Sequence, residues 1–131
     1  MYGAILGDII GSPFEFDRGN KTKEFDLFTK GCDFTDDSVM TIAVGEALLA
    51  VGTEATVKEI EEALVTNMQD WGKRYPYAGY GGRFRYWLRE SNPKPYGSYG
   101  NGSAMRVSAA GWLYDSLERT REVARATANV T

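Results

Sequence analysis

The 131-residue sequence contains no histidine and one cysteine, Cys32. The lack of histidine excludes Ser-His-Asp and Cys-His catalysis and every histidine-based zinc site, leaving carboxylates, metal-bound water, Lys, Tyr and Cys to handle protons. A single cysteine permits no internal disulfide, which suits a reducing compartment. Positive charge is also scarce: 15 Lys and Arg stand against 18 Asp and Glu, a net charge of -3. A chain of that balance lacks the concentrated cationic surface that displaces counterions from nucleic acid, so no nucleic-acid partner is expected. No apolar run approaches the ~20 residues needed to span a bilayer. The opening stretch has no basic n-region and is interrupted by Asp8, so it does not read as a signal peptide. A soluble, cytoplasmic protein without membrane contact is the expectation. Alternation of apolar and polar residues bounded by turn signals is missing too, which removes the main signature of strands.

What the sequence does contain is helical periodicity. An apolar fraction of 43% is enough for one core, and residues 1–131 read as a single all-α domain. Val57, Ile60, Leu64, Met68 and Trp71 recur at spacings of three and four after a Thr56/Glu59 capping-box pair, which predicts a helix ending at Gly72. A second helix is predicted from Ser38 to Ala50 with its stop at Gly52, a third from Ser103 to Tyr114, and a weaker one entered through Ser116.

Residues 72–102 differ in composition, with seven glycines, three prolines and six tyrosines around a short helical piece at 83–90. A long segment of this kind inside a small domain is usually functional. Rigid aromatic faces with a hydroxyl tip suit stacking on a flat ligand, although tyrosines that merely pack on the bundle would look the same in sequence.

Thr35-Asp36-Asp37-Ser38 sets two carboxylates between two hydroxyls just ahead of an apolar run. Adjacent helical side chains diverge by about 100°, so both acids can face one ion only at a helix entrance, which Thr35 supplies as an N-cap. Magnesium prefers such oxygen ligands and keeps several waters. The same four residues also read as a plain helix start, because carboxylates in a first turn are favoured by the macrodipole. Gly100-Asn101-Gly102-Ser103 likewise reads either as a backbone cradle for an anion ahead of a helix or as an Asn-Gly turn with Ser103 as N-cap. Arg106, a few residues on, has two readings, a phosphate contact or a solvent-facing side chain.

Three segments in order, Gly7-Asp8-Ile9-Ile10-Gly11-Ser12-Pro13-Phe14-Glu15, Phe34-Thr35-Asp36-Asp37-Ser38-Val39-Met40-Thr41 and Tyr99-Gly100-Asn101-Gly102-Ser103-Ala104-Met105-Arg106, resemble the ADP-ribosylglycohydrolase family. The resemblance runs over the whole chain. It implies an orthogonal all-α bundle and a hydrolase that uses two Mg²⁺ ions to remove ADP-ribose from modified protein side chains, at an N- or O-glycosidic bond. ADP-ribosylated protein or ADP-ribose would be the partner. Thr35, Asp36 and Asp37 match the first metal-binding motif, with Ser38 where threonine is more usual. Glu15 matches the glutamate beside the scissile bond, and Tyr99, Gly100, Asn101, Gly102 and Ser103 match the loop that holds ADP-ribose. The family's second, Gly-Gly-Asp-Ser-Asp-Thr type motif has no counterpart here. The resemblance therefore implies half of the fold and of its metal site, with weak Mg²⁺ affinity and either self-association or a complementary C-terminal polypeptide. A fragment, one piece of a split enzyme and a shortened homologue all fit that pattern. The alternative function is a non-catalytic ADP-ribose-binding or structural module built on the same fold.

Overall fold

The computed structural model of the chain describes residues 1–16, 19 and 22–131. Among these it is helical throughout, with α1 (Tyr2–Gly11), α2 (Asp36–Val51), α3 (Val57–Arg74), α4 (Gly82–Trp87), α5 (Gly102–Met105), α6 (Ala110–Leu113) and α7 (Leu117–Asn129), plus 3-10 turns at Ser12–Phe14 and Val107–Ala109. The all-α expectation is met. No helix among the described residues is long and apolar enough to cross a membrane.

Helix α2 is central. Ser38, Val39, Met40, Thr41, Ala43, Val44, Gly45, Ala47 and Leu48 are all buried, and only a narrow strip at Glu46, Leu49 and Ala50 faces solvent. Thr35 caps it through its side chain, and Gly52 ends it at φ 80°, a left-handed conformation that glycine adopts without a Cβ penalty. Helix α3 packs along α2 through Ile60, Leu64 and Met68, and α7 closes over α3 with Val123, Ala126 and Thr127. The predicted capping box at Thr56 and Glu59 is present in both directions, and Ser116 caps α7 by accepting from Arg119 N–H.

Three sequence expectations need correction. Helix α3 does not stop at Gly72 but runs to Arg74. Gly72 serves close packing instead, since a Cβ there would lie 2.9 Å from both δ-methyls of Leu88. The predicted helix from Ser103 to Tyr114 is broken into α5, a 3-10 turn and α6. The break follows Arg106, whose φ -96°, ψ -4° lies between helical and extended backbone and whose side chain turns inward to bond α7. The N-cap of α5 is Asn101 rather than Ser103, and it caps with no side-chain hydrogen bond. The short piece predicted at 83–90 is α4, ending at Trp87.

Helix α1 was not readable from periodicity. It is apolar yet buries none of its residues, and Tyr2 and Leu6 are exposed. It nevertheless packs against α2, with the Met1 side chain seated over Gly45.

Candidate active site

The acidic corner is built by two helices. The Asp8 carboxylate, on α1, accepts four hydrogen bonds from the start of α2. Its Oδ2 takes Thr35 N–H at 2.8 Å, Ser38 N–H at 3.1 Å and Ser38 Oγ at 2.6 Å, and its Oδ1 takes Thr35 Oγ1 at 2.6 Å. One turn further on, just past the end of α1, Ser12 Oγ accepts Asp33 N–H at 3.1 Å while donating to the Ile9 carbonyl. Thr35 Oγ1 in turn accepts Asp37 N–H at 3.3 Å.

Asp36 and Asp37 are half-buried beside each other. Burial, then the Asp37 charge, pushes the Asp36 carboxyl from its ordinary 3.8 up to about 6, with smaller upward pushes from Glu15 and Asp8. The Asp37 carboxyl is raised by burial first, then by Asp8 and Glu15, against opposing hydrogen bonds from Thr35 and its own backbone. Four carboxylates thus feel one another, and among the described residues no Lys or Arg forms an ion pair with Asp36 or Asp37.

The two acids open into adjoining clefts. Asp37, Thr35, Asp8 and Glu15 line one of about 440 Å³, and Asp36 lines another of about 270 Å³. Asn101 and Met105 line both, so the two clefts meet at the 99–105 segment. Tyr99, Gly100 and Gly102 wall the Asp36 cleft together with Arg83, Phe84, Tyr96 and Arg106. Of the residues singled out in sequence, Glu15, Thr35, Asp36, Asp37, Tyr99, Gly100, Asn101 and Gly102 therefore border this pair of clefts. Ser103, in the first turn of α5, lines neither. Because α5 has only four residues, its dipole is far smaller than that of the long helix expected after Gly102, and any anion contact there falls to individual N–H groups.

Arg106 departs from the solvent-facing one of its two sequence readings. It is 1% exposed, donating from Nε (3.2 Å) and Nη2 (2.7 Å) to the Thr127 carbonyl and from Nη2 to Thr131 Oγ1 at 2.9 Å. Burial lowers its guanidinium to about 10, within the range where it stays charged at neutral pH. The Thr131 carbonyl then accepts Tyr96 N–H at 2.8 Å and Ser98 N–H at 3.2 Å. The end of α7 thereby ties down the segment that leads into Tyr99.

Sequence reasoning assigned no role to Asp8, Tyr80, Tyr96 or Arg83. Asp8 stood within a quoted motif, but its part depends on a contact 27 residues away that no local pattern shows. Arg83 lies over the Tyr96 ring at 4.8 Å and donates to the Tyr96 carbonyl at 3.1 Å, which fixes one cleft wall. The Tyr80 hydroxyl is enclosed without a hydrogen-bond partner among the described residues, and its pKa is pushed up to about 12 by burial and then by the Asp36 charge. Gly79, at φ 103°, brings backbone so near the Asp36 carboxylate that a Cβ would lie 3.4 Å from Oδ1.

Among the described residues no three carboxylate or thiol groups are gathered closely enough to enclose a metal ion. The corner instead offers two carboxylates and a threonine hydroxyl, a partial set of hard oxygen donors. Mutual repulsion between the acids, with no paired cation among the described residues, is the electrostatic condition that a divalent ion relieves. The donor chemistry fits an ion that keeps part of its water shell.

The ADP-ribosylglycohydrolase family model matches residues 1–131. The chain is 30% identical to ADP-ribosylhydrolase ARH3 of Homo sapiens and 28% identical to that of Xenopus tropicalis, each time over 100% of this chain and 43% of the relative. The Mus musculus protein of the same name is 30% identical, with 42% of its length covered. The chain thus spans less than half the length of the curated relatives it matches. No solved structure gives a significant match. Matched along its full length by the family model, the chain belongs to the ADP-ribosylglycohydrolase family.

Proposed function

We propose that the chain forms one wall of the active cleft of a cation-assisted hydrolase that releases ADP-ribose from modified protein side chains. One observation carries the reading. Asp36 and Asp37, set side by side at a helix entrance, open into two clefts joined at Asn101, with Glu15 on one rim and Tyr99 on the other.

Breaking an N- or O-glycosidic bond at the anomeric carbon of ribose builds positive charge on the sugar, and a carboxylate at that position stabilises it. Glu15 is exposed at the end of the Ser12–Phe14 turn, bordering the Asp37 cleft, and takes this part. Thr35, Asp36 and Asp37 would hold Mg²⁺, whose charge supplies Lewis acidity toward sugar hydroxyls and water. Tyr99 is 93% exposed and presents a free ring face for the adenine or a ribose, while Gly100 and Gly102 let a diphosphate approach the backbone. Arg106, at the floor of the same cleft, adds positive charge on the diphosphate side.

The facing wall would come from residues outside these 131, carried on the same polypeptide, on a complementary one or on a second copy. The bare apolar surface of α1, continued by Phe16 at 86% exposure, supports this part of the reading. Light scattering of residues 1–131 that finds only a stable monomer would remove the second copy from this reading.

A second reading, an ADP-ribose-binding module without turnover, is favoured by the absence, among the described residues, of three carboxylates close enough together to enclose a metal ion. Release of ADP-ribose from modified arginine or serine peptides, with and without Mg²⁺ and any co-encoded partner, separates the two. Calorimetry is expected to show weak Mg²⁺ binding that Asp36→Ala and Asp37→Ala abolish. Binding unchanged in both variants defeats the metal assignment, and a chain whose melting ignores both Mg²⁺ and ADP-ribose defeats the function.

A further inference from the structure

We propose that Asp8 is the positioning residue of the acidic corner, capping α2 from the neighbouring helix so that the Asp36 and Asp37 carboxylates are left open to a divalent cation. The inference rests on the cation-binding reading of Thr35, Asp36 and Asp37 given above.

A helix start leaves four N–H groups without intrahelical partners, and acids in the first turn ordinarily help to satisfy them. Here that task falls to other groups. Asp8 Oδ2 takes the N–H of the N-cap residue, Thr35, and of the third helical residue, Ser38, while Thr35 Oγ1 takes the N–H of Asp37. Both N–H groups satisfied in a capping box are thus held by one carboxylate from another helix. Asp36 and Asp37 keep hydrogen bonds to their own backbone N–H groups, and Asp37 one with Thr35, but are not needed to cap the N-cap or third helical residue.

An ionised carboxylate accepts at about four lone-pair sites. Asp8 accepts four bonds, three at Oδ2 and one at Oδ1, two of them charge-assisted hydroxyl bonds of 2.6 Å. With Oδ2 fully engaged by the start of α2 and Oδ1 turned to the Thr35 hydroxyl, Asp8 is committed to α2 in a way that Asp36 and Asp37 are not, although it borders the same cleft. Its acceptor-only character also fixes the Thr35 hydroxyl proton toward α1. Because Oγ1 also accepts Asp37 N–H, the Thr35 hydroxyl is held at the helix entrance from both sides. The Ser12 bond to Asp33, just past the end of α1, keeps the incoming chain in register with this arrangement.

The test is Mg²⁺ titration calorimetry on the full chain and on Asp8→Asn. Asparagine keeps the size of the side chain but replaces one of the two acceptor oxygens with an amide donor, so the bonds made to that oxygen are lost or reversed and the charge assistance is removed. Loss of an orienting partner of this kind lowers metal affinity by about tenfold or more. Should Asp8→Asn fail to fold, Ser38→Ala and Ser38→Thr decide. The alanine variant is expected to weaken Mg²⁺ binding several-fold, and threonine, which keeps the hydroxyl, to restore it. Wild-type affinity in Asp8→Asn, or equal affinity in the two Ser38 variants, overturns the role of Asp8 while the metal site stands. A wild-type chain that gives no Mg²⁺ response overturns the metal site itself, and the role of Asp8 with it.

Discussion

Leu88 lies across Gly72 so closely that a methyl group added to the glycine would meet both Leu88 δ-carbons at 2.9 Å. In an exposed helix interior, Gly→Ala stabilises by nearly 1 kcal/mol. Here the sign reverses. Gly72→Ala is expected to lower stability by about 1–3 kcal/mol through overpacking of a buried leucine. Urea denaturation of Gly72→Ala, Leu88→Ala and the double variant checks this, because relief of the clash requires the double variant to lose less than the sum of the singles.

Arg106 holds the end of α7 through the Thr127 carbonyl and Thr131 hydroxyl. Arg106→Leu leaves both acceptors unpaired in a buried setting, which costs about 3 kcal/mol. Arg106→Lys keeps the charge without the planar fork and should recover only part of that loss. Thermal and chemical unfolding of the two variants gives the comparison.

Metal-free protein should lose stability as pH rises through the window between 3.8 and about 6 set by Asp36. A carboxyl whose pKa is raised in the folded state binds more protons folded than unfolded, so its contribution is fully present below that window and is lost above it. Because the group is half-buried, solvent screening limits the effect to about 1 kcal/mol. Asp36→Asn should flatten this limb of the stability profile and leave the protein more stable than wild type at pH 7. An unchanged profile would show that Asp36 does not titrate in the window.

Tyr99 separates binding from folding. At 93% exposure its ring supports little of the core, and Tyr99→Ala should alter stability by less than about 0.5 kcal/mol. Aromatic–base stacking is worth about 1–3 kcal/mol, so ADP-ribose affinity should fall about fivefold or more. Calorimetry with ADP-ribose and a melting curve measure the two effects on one sample.

Where a signal is local, the sequence carried it. The Thr56/Glu59 pair, the stripe from Ile60 to Met68 and the stop at Gly52 all lie within one or two turns of the residues they organise. The acidic corner and the Tyr99–Gly102 segment were likewise found as clusters of chemistry-bearing residues. What failed depended on distant partners. Gly72 looks like a helix end until Leu88 is placed against it, and the break after Met105 follows from a bond that Arg106 makes to α7. Helix α1 has no polar face to betray its period, and the work of Asp8 appears only when α1 is docked.

That docking makes the corner conditional. Asp8 reaches Thr35 and Ser38 across 27 and 30 residues of chain, from a helix with no buried residues of its own. Segments with so little interior contact detach at small free-energy cost. Each detachment strips the entrance of α2 of its cap while the middle of the helix stays formed around Val44. Amide exchange at Thr35 and Ser38 should therefore keep time with α1, making the first turn of the most deeply buried helix one of its least protected.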